Sequence, residues 1–167
     1  MKQIDCDILI IGSGLTGLLA AHALSDFDYK IVIAEQKKTF LSNNRVFNDT
    51  RTTAIAEGSK CFLEKIKLWK DISKYAENIK KINVVDRVGT NKMHFINYEK
   101  KLNNLGYIVK NSKIFSSTKS VLKKKKNITF FNSSKLLSIN YSNQNVEGIF
   151  NNKKIIAKLL IAADGKN

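Results

Sequence analysis

The chain has 167 residues, of which 43% are hydrophobic, so it is globular rather than intrinsically disordered and long enough for one domain with a real core. Its formal net charge is +15, but the lysines are scattered along the chain and arginine occurs only at positions 45, 51 and 87, which argues against a nucleic-acid partner. No apolar run is long enough to span a membrane, no signal segment precedes the first strand, and the two cysteines are far apart in sequence. We therefore expect a cytoplasmic protein with reduced thiols and no metal site.

The first predicted unit consists of a strand, a glycine-rich turn, a helix and a second strand. Residues 8–11 are a continuous apolar run, which is typical of a parallel strand buried on both faces. The pattern Gly12-x-Gly14-x-x-Gly17 follows at once, and residues 15–24 are rich in leucine and alanine, as expected of a helix. A short strand at residues 30–34 then ends in Glu35. This β-α-β unit has the spacing of a dinucleotide-binding fingerprint.

Each residue type in this fingerprint has a physical role. Gly12 permits the tight turn, Gly14 lets a pyrophosphate approach the backbone, and Gly17 lets the helix pack closely on the strand. The carboxylate of Glu35, 18 positions after Gly17, can accept hydrogen bonds from both ribose hydroxyls. An acid here disfavours a 2′-phosphate, and hence NADP, but the pattern does not choose between FAD and NAD; a glycine turn in an ordinary α/β protein is the simpler alternative. The candidate cofactor-binding residues of this unit are Gly12, Gly14, Leu15, Thr16, Gly17 and Glu35.

The middle of the chain predicts a mixture of helices and short strands. A polar connection at 36–50 leads to a helix that Thr52 or Thr53 would cap and that reaches about residue 66. A short helix starts at Leu68-Trp69, in which the tryptophan is expected to be a packing residue. Residues 82–88 and 92–96 predict a hairpin, residues 105–109 a short extended piece, and residues 112–126 an amphipathic helix ending in four lysines.

The last part of the chain predicts strands separated by turns. Residues 128–131 predict a buried strand, and residues 136–142, 146–150 and 154–159 predict an antiparallel meander with asparagine-rich turns. Residues 160–163 predict a last apolar core strand that runs into Asp164-Gly165, a second ending of a strand in glycine. The overall prediction is an α/β fold.

Three further motifs follow the fingerprint in the chain. They are D-x-R-x-x-A at 49–54, continuing to Ser59 and Leu68-Trp69; L-G-Y at 105–107, ending in Lys110-Asn111; and A-D-G at 163–165. Together with the fingerprint they resemble FAD-dependent aromatic-ring monooxygenases of the para-hydroxybenzoate hydroxylase type, above all the ubiquinone-biosynthesis hydroxylases UbiH, UbiF and UbiI. Lys110 stands where that family usually has an acid.

The resemblance implies a fold and further site residues. The fold would be a Rossmann-like FAD-binding domain, in which a parallel core sheet carries an antiparallel three-strand meander, with residues 79–110 a partial substrate-domain insertion containing a hairpin. Arg51 would lie near the FAD pyrophosphate and the flavin edge, and Asp164 and Gly165 near the pyrophosphate, where the reductant passes. The simpler interpretations are a surface Arg51 paired with Asp49, and an Asp164 that caps the next segment.

The resemblance also implies a reaction. FAD would be reduced by NAD(P)H and used with O₂ to hydroxylate a small aromatic substrate, a prenylated phenol on the route to ubiquinone, by an enzyme peripheral to the inner membrane. No catalytic side chain is expected, because the cofactor carries the chemistry. Residues 1–167 are expected to be the N-terminal part of a longer enzyme and inactive alone. The alternatives are a truncated module that only holds FAD, or another FAD oxidoreductase with the same N-terminal half, such as a halogenase-like or geranylgeranyl reductase-like protein.

Overall fold

The computed structural model describes residues 2–37, 50–85, 92–96, 104–151 and 153–165. The chain divides into two compact units, one made of Met1–Asn48 with Phe115–Asn167 and the other of Asp49–Ile114. The predicted insertion at 79–110 falls inside the second unit, and its assignment to a substrate domain stays a prediction. Most of the polar connection at 36–50 and the predicted turn at 89–91 lie outside the described residues.

The described residues contain eleven strands, four α-helices and a 3₁₀ turn at Ser73–Tyr75. The strands are β1 (Lys2–Ile11), β2 (Ile31–Glu35), β3 (Thr52–Ile55), β4 (Glu77–Ile79), β5 (Lys81–Val85), β6 (Lys92–Ile96), β7 (Gly106–Lys110), β8 (Ile128–Asn132), β9 (Leu136–Tyr141), β10 (Val146–Phe150) and β11 (Lys153–Ala162). The helices are α1 (Leu15–Leu24), α2 (Glu57–Lys65), α3 (Trp69–Ile72) and α4 (Asn111–Leu122). Within the described ranges, none of these helices is long and apolar enough to cross a bilayer.

The first unit is built on a six-stranded sheet in the order β8-β2-β1-β11-β10-β9. Strands β8, β2, β1 and β11 are mutually parallel, and β11, β10 and β9 form an antiparallel meander. The predicted α/β class, the parallel core sheet and the three-strand meander are therefore confirmed. Helix α1 makes the crossover between β1 and β2 that two neighbouring parallel strands require.

Each face of this sheet carries a cluster of buried side chains. On one face, isoleucines of β1 and β2 pack with Leu18 and Ala21 of α1 and with Leu122 of α4. On the other face the buried side chains come from the strands themselves. There the rings of Phe131 on β8 and Phe150 on β10 meet edge to face, with centroids 5.2 Å apart. A flat sheet would hold these two strands about 19 Å apart, at roughly 4.8 Å per strand. The sheet is therefore strongly curved, and its curvature closes the second core.

Asp7, in the middle of β1, ties β1 and β11 together at the amino-terminal end of β2, which is called the amino edge below. The N–H groups of Asp7 and Ile8 both donate to the Lys30 carbonyl, at 2.9 and 3.2 Å. The Asp7 carboxylate accepts from the Lys30 N–H at 2.9 Å and from the Lys158 ammonium at 2.8 Å. The hydrogen bond from Lys158 and that from Lys30 hold the pKa of Asp7 below its ordinary value. Three strands thus meet at one side chain.

The second unit contains the antiparallel sheet β3-β7-β4 and the hairpin β5-β6. The predicted pairing of residues 82–85 with 92–96 is confirmed, and the predicted continuation at 86–88 lies outside the described residues. Trp69 packs edge to face on Tyr107, with ring centroids 4.9 Å apart, and the Lys60 ammonium lies 5.6 Å from the same ring. The tryptophan is therefore the packing residue that the sequence predicts, and its partner comes from the L-G-Y motif.

Two sequence predictions in this unit need correction. Thr52 and Thr53 do not cap a helix, because residues 52–55 form β3, which pairs with β7 from Thr52 opposite Lys110 to Ile55 opposite Tyr107. Helix α2 begins only at Glu57, after an Ala56 whose side chain offers no cap. Strand β4 was not predicted at all, although it pairs with the other edge of β7. The local sequence does not reveal a pairing between strands that are this far apart in the chain. The strand at 52–55 does agree with the preference of β-branched threonine for strands.

Three predictions in the first unit were wrong in part. Strand β1 starts at Lys2 and not at residue 8, because β11 pairs with it from Lys2 onward. The predicted strands at 154–159 and 160–163 are one continuous strand, β11. Strand β8 is an edge strand of the described sheet, so Ile128 is buried while its other residues are half-buried or exposed.

Candidate functional site

The carboxyl ends of β1, β2 and β11 form the edge at which the fingerprint lies. The Gly12 N–H donates to the Ala34 carbonyl at 2.8 Å, and the Ala163 N–H donates to the Ile11 carbonyl at 2.7 Å. These two bonds tie the ends of the three strands to one another. The glycine-rich turn and the A-D-G motif are therefore neighbours, although Gly12 and Ala163 are 151 positions apart in the chain (163 − 12).

Gly12 and Gly17 are glycines because the backbone leaves no room for a side chain. Gly12 has φ +101°, and a Cβ there would stand 2.4 Å from the carbonyl oxygen of Ala163 and 2.8 Å from the Cα of Asp164. A Cβ on Gly17 would stand 2.1 Å from the carbonyl oxygen of Gly12. The predicted roles of these two residues, a tight turn and close packing of helix on strand, match this geometry.

Gly14 is different, because a Cβ built there would have no atom within 4 Å. It is exposed and extended, with φ −67° and ψ −176°, and it is the N-cap of α1 without a side-chain cap. The first turn of α1 carries no acidic residue. Leu15 is half-buried and Thr16 is exposed. The first N–H groups of a helix have no intrahelical acceptor, so open space beside Gly14 and a positive dipole end suit a phosphate group.

Glu35 ends β2 at the same edge, and both oxygens of its carboxylate accept hydrogen bonds. Oε2 accepts from the Ser13 N–H at 2.9 Å and from the Ser13 hydroxyl at 2.6 Å, while Oε1 accepts from the Lys37 N–H at 2.9 Å. Burial raises the pKa of Glu35, but these hydrogen bonds outweigh it, and the pKa lies below its ordinary value. The carboxylate is therefore ionised at neutral pH.

Ser13 is the residue of this site that sequence reasoning missed. It occupies a variable position of the fingerprint, and its side chain is buried, with 3% of its surface exposed. The sequence contains the hydroxyl but does not reveal that it meets Glu35, because that contact depends on the register between β1 and β2.

Asp164 and Gly165 follow β11 at this edge, and both are exposed. The backbone of Asp164 lies beside Gly12, and Gly165 has φ +86°, a conformation that favours glycine. The segment that Asp164 would cap in the simpler interpretation is outside the described residues.

Arg51 belongs to the second unit, where it is exposed and directly precedes β3. Its carbonyl accepts from the Asn111 N–H at 3.0 Å, and the Thr53 hydroxyl donates to Asn111 Oδ1 at 2.6 Å. Asn111 therefore fastens the D-x-R motif to the end of the L-G-Y motif. Asp49 is outside the described residues, so the role of Arg51 towards a cofactor stays a prediction.

Comparisons with known proteins agree with this geometry. Residues 7–71 match the family model described as FAD binding domain. The ubiquinone biosynthesis monooxygenase COQ6 of Dictyostelium discoideum is 26% identical over 96% of this chain, and the ubiquinone hydroxylase UbiM of Neisseria meningitidis is 24% identical over 98% of it. Residues 7–71 are therefore similar to an FAD binding domain, and the chain as a whole is similar to proteins named as ubiquinone hydroxylases. The resemblance found in the sequence is confirmed at that level.

Solved structures show the same fold for this FAD-binding domain. The flavin-dependent monooxygenase PieE, solved with FAD and substrate, matches with a TM-score of 0.79 at 12% identity and covers 100% of this chain and 31% of its own. A geranylgeranyl bacteriochlorophyll reductase-like protein of Thermoplasma acidophilum matches with a TM-score of 0.71 at 19% identity over 98% of this chain and 40% of its own. The fold is therefore shared by proteins named for different reactions. The chain spans 37% of the length of each of the two curated relatives.

The residues of the first unit fit FAD by their chemistry. Open space beside Gly14 and the N-terminus of α1 suit the diphosphate, and the ionised Glu35 at the end of β2 suits a ribose. Among the described residues there is no group of three or more His, Cys, Asp or Glu that could hold a metal ion. The FAD-binding domain therefore offers donors and an acceptor for a nucleotide at one edge of its sheet.

Proposed function

We propose that this chain is the FAD-binding portion of a monooxygenase that uses NAD(P)H and O₂ to hydroxylate an aromatic ring. The proposed substrate class is a prenylated phenol in ubiquinone biosynthesis, which is supported by the names of the two curated relatives that cover 96% and 98% of the chain. The observation that carries the proposal is the joint placement of Gly14, Glu35 and Asp164 at one edge of the parallel strands.

Each part of the chain would have a separate binding role. The N–H groups at the start of α1 would donate to the diphosphate, and Gly14 would leave space for it. Glu35 would accept from the adenosine ribose. Arg51 would supply a planar, permanently charged fork to the diphosphate, for which arginine is better suited than lysine. FAD, when bound, supplies the redox chemistry, and these residues hold and orient it.

The first experiment is a calorimetric titration of the purified chain with FAD and with NAD⁺. We expect FAD to bind more tightly, and tighter binding of NAD⁺ would refute the assignment of the cofactor. Gly14→Ala is the matched variant, because its methyl group meets no protein atom but occupies the approach of the diphosphate. We expect it to weaken FAD about tenfold while the free energy of unfolding changes by less than about 1 kcal/mol, the range for an N-cap substitution.

The second experiment separates a redox role from mere retention of FAD. A module that only holds FAD is the competing function. The FAD-loaded chain is mixed with NADH or NADPH, and the oxidation of the reduced nicotinamide is followed by its absorbance. The control is free FAD at the same concentration. A rate of oxidation above that of the control supports the redox role. A rate equal to that of free FAD, with tight FAD binding retained, means that residues 1–167 hold FAD without using it, as expected both of a binding module and of an N-terminal part that is inactive alone.

A further inference from the structure

The Glu35 carboxylate is held unequally at its two oxygens. Oε2 receives two donors from one residue, the N–H and the hydroxyl of Ser13 at 2.9 and 2.6 Å. Oε1 receives one donor, the N–H of Lys37 at 2.9 Å. A carboxylate has about four lone-pair sites, two on each oxygen. Donors from the described residues therefore occupy both acceptor sites of Oε2 and one of the two acceptor sites of Oε1. One acceptor site of Oε1 remains for a ligand.

Breaking the hydrogen bond from the Ser13 hydroxyl to Glu35 would be costly. Its side chain is buried, with 3% exposed, and a buried hydroxyl without an acceptor is costly. Its backbone position is fixed by Gly12, whose N–H is bonded to the end of β2. The distance of 2.6 Å is that of a strong hydrogen bond from a hydroxyl to a carboxylate. A ligand is therefore more readily accepted at the open site of Oε1 than by displacing Ser13 from Oε2.

We infer that Ser13 is a positioning residue that anchors Oε2 of Glu35, so that Glu35 receives a single ribose hydroxyl, through Oε1. This inference rests on the proposed function, since it concerns the nucleotide that the site would bind. It narrows the sequence-based expectation that Glu35 accepts from both ribose hydroxyls. Ser13 becomes part of the specificity of the site although it need not touch the ligand.

The anchoring has an electrostatic consequence that a packing role lacks. Burial by itself raises the pKa of Glu35, and the Ser13 hydroxyl is the largest of the contributions that oppose it. Without that hydroxyl the pKa of Glu35 rises. The ionised carboxylate is the form that accepts a ribose hydroxyl, so binding weakens as pH falls through this pKa. In Ser13→Ala this weakening is therefore expected at a higher pH than in the wild type.

The test uses ADP, 2′-deoxy-ADP and 3′-deoxy-ADP as probes of the wild-type chain, measured by calorimetry. If Glu35 receives one hydroxyl, one deoxy compound binds about tenfold more weakly than ADP, the scale of a hydrogen bond to a charged group, and the other binds within about twofold. Equal weakening by both deoxy compounds overturns the inference. This arm needs no variant, so it holds even if Ser13→Ala does not fold.

The second arm measures FAD affinity from pH 4 to 8 for the wild type, Ser13→Ala and Ser25→Ala. Ser25 is the matched control, a buried serine whose hydroxyl donates to the His22 carbonyl at 2.8 Å at the far end of α1. We expect Ser13→Ala to bind FAD about tenfold more weakly than the wild type at neutral pH. As the pH is lowered, its affinity should begin to fall at a higher pH than that of the wild type, while Ser25→Ala keeps the wild-type profile. A Ser13→Ala profile equal to the wild type overturns the inference and leaves the proposed function intact. Wild-type protein that binds neither FAD nor ADP overturns the proposed function itself.

Discussion

The two edges of the same parallel strands each carry an acid that binds backbone N–H groups, yet the two acids are arranged differently. At the amino edge, Asp7 accepts from the Lys30 N–H and from the ammonium of Lys158. At the carboxyl edge, the donors to Glu35 among the described residues are N–H groups and a hydroxyl. Asp7 is therefore neutralised by a direct cation, whereas Glu35 keeps a negative charge and one acceptor site. The difference separates an acid that joins strands from one that remains able to bind a ligand.

The glycines add to this contrast. The carboxyl edge needs two glycines for close packing and a third for open space, while the residues of the amino edge carry ordinary side chains. Substitutions can therefore distinguish what the carboxyl edge needs in order to fold from what it needs in order to bind.

The largest effect is expected for Gly12→Ala. The new Cβ would stand 2.4 Å from a backbone oxygen, at a φ of +101° that alanine rarely adopts. We expect the free energy of unfolding to fall by about 3 kcal/mol or more, as overpacking and backbone strain combine, with loss of FAD binding. Urea unfolding followed by circular dichroism measures the free energy of unfolding. The control is Gly58→Ala in α2, where a Cβ meets nothing and stability should stay equal or rise slightly. Equal effects of the two variants would contradict the packing role.

Glu35→Ala is expected to affect binding more than folding. It should weaken FAD by about 1–3 kcal/mol, the scale of hydrogen bonds to a charged group. Calorimetry measures the affinity and thermal unfolding the stability. Unchanged affinity would remove Glu35 from the site and would leave the two edges without the functional difference described above.

Arg51→Ala tests whether the guanidinium of Arg51 contributes to FAD binding. We expect FAD affinity to fall by about 1 kcal/mol or more, because a charge-assisted bond to a diphosphate is lost, and Asp49→Ala to have a smaller effect. If both variants lower thermal stability equally and leave FAD affinity alone, Arg51 serves only to pair with Asp49 on the surface.

The smallest effect is expected for Asp7→Asn, and it should depend on pH. The pKa of Asp7 is lower in the folded chain than its ordinary value. Its contribution to stability is therefore present above the unfolded pKa and is lost as pH falls through the folded pKa. The melting temperatures of the wild type and of Asp7→Asn should differ slightly at pH 7 and converge towards pH 3. FAD affinity should be the same in both, and a change in affinity would mean that the two edges are not independent.

The sequence was most informative where local chemistry alone determines the structure. Helix α1 has the predicted bounds, because leucine and alanine favour a helix and glycines bracket its start. The Ser13–Glu35 contact could not be predicted, since it depends on pairing between β1 and β2. Strand β3 was taken for a helix because its partner β7 lies more than 50 positions further along the chain. Local patterns reveal periodicity and turns, but not which distant strand provides the hydrogen bonds.

Strand β11 is shared by the two halves of the first unit's sheet. Its first residues, from Lys153 to Ala157, pair with β10, and its whole length pairs with β1 until Ala162 stands opposite Ile11. The position of Asp164 beside Gly12 is therefore set by register over ten consecutive residues. An insertion of one residue within 153–162 would reverse the faces of the residues after it and displace Asp164 from the turn. The turn at 142–145 lies outside this register, so variation in chain length should be tolerated there and selected against in β11.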